Sequence, residues 1–188
     1  MWRNHSMNTR IPAAHITVAA MTVGLALTGC PSSPVPDTAD YVDIARYMGL
    51  WYEIARYPVF FQRNMVGVTA EYALQEDGTV RLINRAFTGA LDGPETSIKG
   101  KARVIDSASN AKLKIRFDRF PVCLFPAQYW ILKVGPEYAV VSSPGQDVLW
   151  ILSRTPQMDD GLYQELLDFV WEQGFDPERL EPTLQAVE

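Results

Sequence analysis

The chain has 188 residues and a net charge of −5, and both of its histidines, His5 and His15, lie close to its start. The stretch from Cys30 onward holds no histidine. That removes Ser-His-Asp and Cys-His nucleophiles, imidazole general bases and histidine-based zinc or haem sites, so no catalytic residue, metal ligand or cofactor is expected.

Residues 1 to 10 carry Arg3 and Arg10 and no acid, and residues 11 to 29 hold no charge apart from His15 when protonated. This is the pattern of a secretory signal, starting at Met1 or Met7, rather than of a fold element. It ends in Leu27-Thr28-Gly29-Cys30, which looks like a lipobox, where small residues precede a Cys that becomes the lipidated first residue of the mature chain. The alternative is a simple N-terminal membrane span, since the apolar stretch is long enough to cross a bilayer. The Pro/Ser tether that follows at once favours the lipobox. Over residues 30 to 40 the prolines favour an extended conformation that reaches about 3 Å per residue. One acyl chain, at about 0.8 kcal/mol per buried CH₂, holds a protein only marginally, whereas two or three anchor it. Pro31 after the Cys, rather than Asp, points to the outer membrane. Acylation of Cys30 leaves Cys123 without a disulfide partner, and it is read as an inert thiol. Without Arg3 and Arg10 the mature chain carries 15 basic against 22 acidic side chains, so nucleic acid is not an expected partner.

The folded part, residues 41 to 188, has room for one core. Asp43 to Met48 reads as a helical turn, and residues 50 to 58 as a first strand ended by Pro58. Phe60-Phe61-Gln62-Arg63-Asn64 is a loop with two adjacent aromatics. From Val66 a two-residue period is clear, with Val68, Ala70 and Tyr72 on one face. Glu76-Asp77-Gly78 makes a hairpin turn, after which Val80, Leu82, Asn84 and Ala86 oppose Arg81 and Arg85. Ile98, Gly100, Ala102 and Val104 oppose Lys99, Lys101 and Arg103, and Leu113, Ile115 and Phe117 oppose Lys112, Lys114 and Arg116. The strands at 129–134, 138–142 and 148–153 are apolar on both faces, so both faces are covered. The cover is a helix capped by Asp159 and stopped at Gly174, with Leu162, Leu166 and Val170 on one stripe. The tail after Pro177 reads as irregular, with a short edge strand near Leu184.

Eight antiparallel strands followed by one helix leave a β-sandwich or an up-and-down barrel, and hairpin-like spacing throughout favours the barrel. The expected fold class is therefore all-β with one C-terminal helix. Gly49-Leu50-Trp51 resembles the Gly-x-Trp motif that opens the first strand of lipocalins, and Arg154 resembles the Arg that closes their last barrel strand. With Gly135-Pro136-Glu137-Tyr138 between them, the chain resembles bacterial outer-membrane lipocalins, relatives of apolipoprotein D, over roughly residues 40 to 185. The resemblance implies a lid in the Phe60 loop and a structural role for Gly49, Trp51, Tyr138 and Arg154 at the closed end, where Arg154 is expected to stack on Trp51.

An eight-stranded barrel can hold one small ligand, and small residues at Ala55, Ala70, Ala86, Gly100 and Ala102 argue for space inside. The expected lining is Val68, Ala70, Tyr72, Leu82, Asn84, Ala102, Val104, Leu113, Ile115, Trp130 and Leu132, with Arg56, Arg63 or Tyr57 at the mouth for a head group. Such a lining suits a fatty acid or lysophospholipid, carried for envelope maintenance by a protein tied to the outer membrane through an acyl anchor on Cys30. A homodimer is left open, as are a filled structural barrel, a tetrapyrrole binder and a lipocalin-type enzyme using Cys123, Glu53 or Glu71.

Overall fold

The computed structural model describes residues 35–119 and 121–186; the expected leader, the expected acylation site at Cys30 and the first tether residues lie outside them. The elements run α1 (Ile44–Tyr47), β1 (Gly49–Arg56), β2 (Met65–Leu74), β3 (Val80–Thr88), β4 (Glu95–Val104), β5 (Lys112–Phe117), β6 (Ala127–Val134), β7 (Tyr138–Ser142), β8 (Leu149–Ser153), α2 (Asp160–Glu172) and β9 (Glu181–Pro182). Strands β2 to β8 pair antiparallel in chain order, and β1 closes the barrel by pairing with both β8 and β2.

The closure divides β1 in two. Its first half, Gly49 to Tyr52, pairs with β2, and its second half, Tyr52 to Arg56, pairs with β8. Gly49 enters the strand at φ 96°, and a Cβ there would meet Arg154 Nη1 at 3.5 Å. The register slips between Glu53 and Ala55, so one extra residue sits in β1 and reverses which face the next side chains take. Beyond that bulge the tail fills the seam. Glu181 and Pro182 pair with Arg56 and Ala55, Thr183 N donates to the Ile54 carbonyl, and Gly67 N donates to the Leu184 carbonyl. Gln185 Nε2 donates to the carbonyls of Glu53 and Val68 at 2.8 and 2.9 Å, joining the parted strands from inside the gap.

Helix α2 covers the outer face of β6, β7, β8 and β1. Asp159 caps it by accepting from Leu162 N at 3.0 Å, and Gly174 follows it at φ 83°. Leu166 and Val170 are fully buried against Ala55, Leu132, Val140, Leu149 and Ile151. Burying side chains of this size stabilises by about 1.5–3 kcal/mol each, which explains why these strands are apolar on both faces.

Candidate ligand-binding lumen

Strand direction sets the two ends. The 57–64, 89–94, 118–126 and 143–148 connections gather at one end, and α1 with the 75–79, 105–111 and 135–137 connections at the other. Tyr47 and Trp51 seal the latter, their ring centroids 5.1 Å apart. The Arg154 guanidinium lies 3.6 Å from the Trp51 ring centroid and donates to the carbonyls of Leu50 (2.9 Å) and Arg46 (2.7 Å). Trp51 Nε1 donates to the Tyr47 carbonyl at 2.9 Å. Tyr138, the remaining residue of the expected motif, lies on the outer face beside α2, its ring packed so closely on Gly135 that a Cβ there would meet it at 2.5 Å.

Above the seal three phenols meet. Tyr72 donates to Tyr129 at 3.0 Å, and Tyr129 and Tyr47 share a bond of 2.7 Å. Burial pushes all three phenols up, Tyr72 to about 12, because a phenolate would lose its water.

Of the expected lining, Tyr72, Leu82, Ala102, Leu113 and Ile115 belong to the inner cluster, with Ala70 and Val104 packed against it. The alternation of β2 puts Val68 on the face of Ala70 and Tyr72, and Asn84 pairs with Ala70 and Ile98 on that same inner face. Trp130 and Leu132 do not line the lumen. Trp130 pairs with Lys112, whose neighbour Leu113 points inward, so Trp130 points out and lies 4.6 Å beneath the Lys112 ammonium. The β6 register slips between Ile131 and Lys133, and Leu132 packs under α2. Tyr129 and Ile131 take the inner positions instead. A strand apolar on both faces carries no sign of which face is inner; only its pairing with the alternating β5 decides. Ala55 likewise turns outward beneath α2, because the β1 bulge precedes it.

The same bulge turns both Glu53 and Arg56 inward. Their side chains are almost wholly buried and meet at 2.8 Å. Thr183 of the tail donates to Glu53 Oε1 (2.6 Å) and accepts from Arg56 Nη1 (2.8 Å). Gln62, from the loop over the mouth, donates to Glu53 Oε2 (2.8 Å) and accepts from the inward-facing Trp150 Nε1 (3.0 Å), while Arg56 Nη2 donates to its carbonyl (3.2 Å). Of the residues expected at the mouth for a head group, Arg63 is exposed, whereas Arg56 is buried, only 7% exposed. Tyr57 is also displaced: it lies under α2, its hydroxyl bonded to the Asp176 backbone. Glu71 pairs with Arg85 at 2.8 Å on the surface, and Cys123 is half-buried in a single 3-10 turn.

The lumen is not filled throughout. Ala70 and Asn84 face inward with bonded strands on either side, yet both are only half-buried, as are the inward Phe117, Ala127 and Trp150. Side chains walled in on both flanks are reached only from within, so space remains between the tyrosine cluster and the mouth. Asn84 Oδ1 is itself buried and has no hydrogen-bond partner. Among the described residues no three His, Cys, Asp or Glu side chains come together as a metal site would need, and no helix is long and apolar enough to cross a membrane.

A family profile described as a lipocalin-like domain matches residues 42–185. The chain belongs to the lipocalin family. This lipocalin is 38% identical over 165 residues to the outer membrane lipoprotein Blc of Escherichia coli strain K12, covering 85% of this chain and 90% of that one. To mouse apolipoprotein D it is 34% identical over 165 residues, covering 84% and 82%. Among solved structures, the cockroach allergen Per a 4 aligns with a TM-score of 0.63 at 18% identity, over 82% of this lipocalin and 96% of that chain, a likeness of fold.

Proposed function

We propose that this lipocalin is a lipid carrier, tied to the outer membrane through an acylated Cys30, that takes a fatty acid or lysophospholipid into its lumen for envelope maintenance. The observation that carries the reading is the half-buried inner face at Ala70, Asn84, Phe117, Ala127 and Trp150, an apolar space with very few hydrogen-bonding groups. A sixteen-carbon acyl chain buried there has a transfer driving force on the order of 10 kcal/mol before ordering costs, enough for micromolar binding. Glu53, the inward carboxylate of β1, is held by Arg56, Gln62 and Thr183, which favours binding over acid–base catalysis. The name of the Escherichia coli relative, an outer membrane lipoprotein, supports the location.

Native mass spectrometry with lipid extraction tests the reading. A stoichiometric adduct of fatty-acid or lysophospholipid mass is expected, together with a change in tryptophan emission on adding lysophospholipid, carried by Trp150. A protein that is empty and takes up none of the added lipid would refute it.

A further inference from the structure

Among the described residues, exposed apolar side chains stand in adjacent pairs on two loops of the open end. Phe60 and Phe61, 85% and 51% exposed, sit edge to face in the β1–β2 loop, and Leu124 and Phe125, 60% and 74% exposed, sit in the β5–β6 loop on the opposite side of the barrel. Trp171, in the last turn of α2, is 68% exposed. That turn lies at the same end, because Gln146 of the β7–β8 loop donates to the Gln173 carbonyl at 3.3 Å. The closed end also shows exposed apolar residues, Tyr41, Leu50, Leu74 and Ile105. Each stands singly, with no exposed large apolar side chain next to it in the chain, and three of them have carboxylates close by in sequence: Asp40 for Tyr41, Glu76 and Asp77 for Leu74, and Asp106 for Ile105. Adjacent apolar pairs on two facing loops are of another kind, since patches of this sort mark interaction surfaces.

The tether identifies the partner. Asp37 N donates to Gln173 Oε1 at 3.0 Å, so the chain enters the described region beside the open end. Cys30 lies five residues before Val35, a reach of at most about 18 Å even when fully extended. An acyl group on Cys30 therefore holds the mouth within that distance of the bilayer. Each apolar loop also carries an exposed arginine, Arg63 and Arg119, with no ion pair among the described residues. Such side chains lay their stems on apolar surface and bring the guanidinium to a phosphate. The acidic balance of the mature chain disfavours an anionic surface, so the fitting partner is a zwitterionic one.

We propose that the open end is a membrane-docking face. Phe60, Phe61, Leu124 and Phe125 enter the interfacial layer of a zwitterionic bilayer, and lipid passes between bilayer and lumen without crossing water. This rests on the anchored-carrier reading.

The test uses the full acylated chain in vesicles of phosphatidylethanolamine and phosphatidylcholine. A thiol-reactive fluorophore on Cys123, in the β5–β6 loop, is compared with one on Glu76→Cys in a Cys123→Ser background, at the closed end. With a nitroxide quencher on the lipid acyl chains, the Cys123 probe is expected to lose most of its emission and the Glu76→Cys probe to keep it; equal or reversed quenching overturns the proposal. Phe60→Ser/Phe61→Ser and Leu124→Ser/Phe125→Ser change exposed residues, and each is expected to slow lipid uptake from vesicles while leaving uptake of dispersed lysophospholipid unchanged. Unaltered uptake from vesicles also overturns it. A chain that fails to float with the vesicles removes the anchor, and one that takes up no dispersed lipid removes the carrier. Wrong quenching in a chain that floats and binds removes the orientation alone.

Discussion

The two ends of the barrel are closed by different chemistry. At the closed end, Tyr47, Trp51, Tyr72, Tyr129 and Arg154 stack ring on ring and cation on ring, with their polar tips bonded to one another or to backbone carbonyls. At the open end a buried ion pair, Glu53 with Arg56, is bonded to the loop through Gln62 and to the tail through Thr183. Arg56 Nε is buried there with no partner. An aromatic plug gains by excluding water and loses by moving, whereas a polar latch keeps most of its worth only while each partner stays in place. The first suits a permanent seal and the second a closure that a ligand can open.

Breaking the latch is expected to cost most. Glu53→Ala leaves the Arg56 guanidinium buried and uncompensated, and a loss of about 3–5 kcal/mol is expected from denaturant melts. Glu53→Ala combined with Arg56→Met should recover much of it; a double variant as unstable as the single one would mean that the pair is not what holds this end. Breaking the seal costs less. Arg154→Ala unstacks Trp51 and frees two carbonyls, for about 2–3 kcal/mol, and an unchanged melting temperature would exclude the stack as a stabilising contact.

The phenol cluster sharpens the contrast through pH. The unfolded chain loses its phenol protons near ~10, while folded Tyr72 keeps its own up to about 12. Stability is therefore fully present below the unfolded value and falls as pH rises through the folded one. Tyr129→Phe, which strips a bond from both Tyr47 and Tyr72, is expected to cost about 1–2 kcal/mol at neutral pH and to flatten the alkaline fall. A melting curve equally steep from pH 9 to 12 in both proteins would remove the cluster as its cause. Smallest in stability is Gln62→Ala, about 1 kcal/mol or less since its contacts are only part-buried. Its larger consequence should be faster lipid exchange, read by stopped-flow fluorescence; an unchanged rate would mean that the loop is not held by this residue.

Where one face of a strand is charged, the sequence was enough to read the barrel. Arg81 and Arg85, Lys99 to Arg103 and Lys112 to Arg116 fixed the inner face of β3, β4 and β5, and the helix was legible from Asp159 to Gly174. Under α2 that signal disappears, because Trp130, Leu132 and Ala55 are apolar residues on a covered outer face and look inward in isolation. The latch was hidden for another reason. Glu53 and Arg56 are three apart, a spacing that sends them to opposite faces of a regular strand, and only the bulge between Glu53 and Ala55 brings them together. Glu53 and Thr183 are 130 positions apart, and no local pattern announces that contact.

The divided pairing of β1 also bears on the order of folding. Its first half finds β2 about twenty residues away, but its second half waits for β8 and then for residues 181–185, roughly a hundred and thirty positions further along. Contacts of such separation form late and slowly because the chain between them must first be ordered. Until they form, the β1–β2 seam stands open with unpaired backbone beside an apolar interior, an edge that invites pairing with another chain. Loss of residues 181–185 would therefore show itself first as aggregation during refolding and only second as a lower melting temperature.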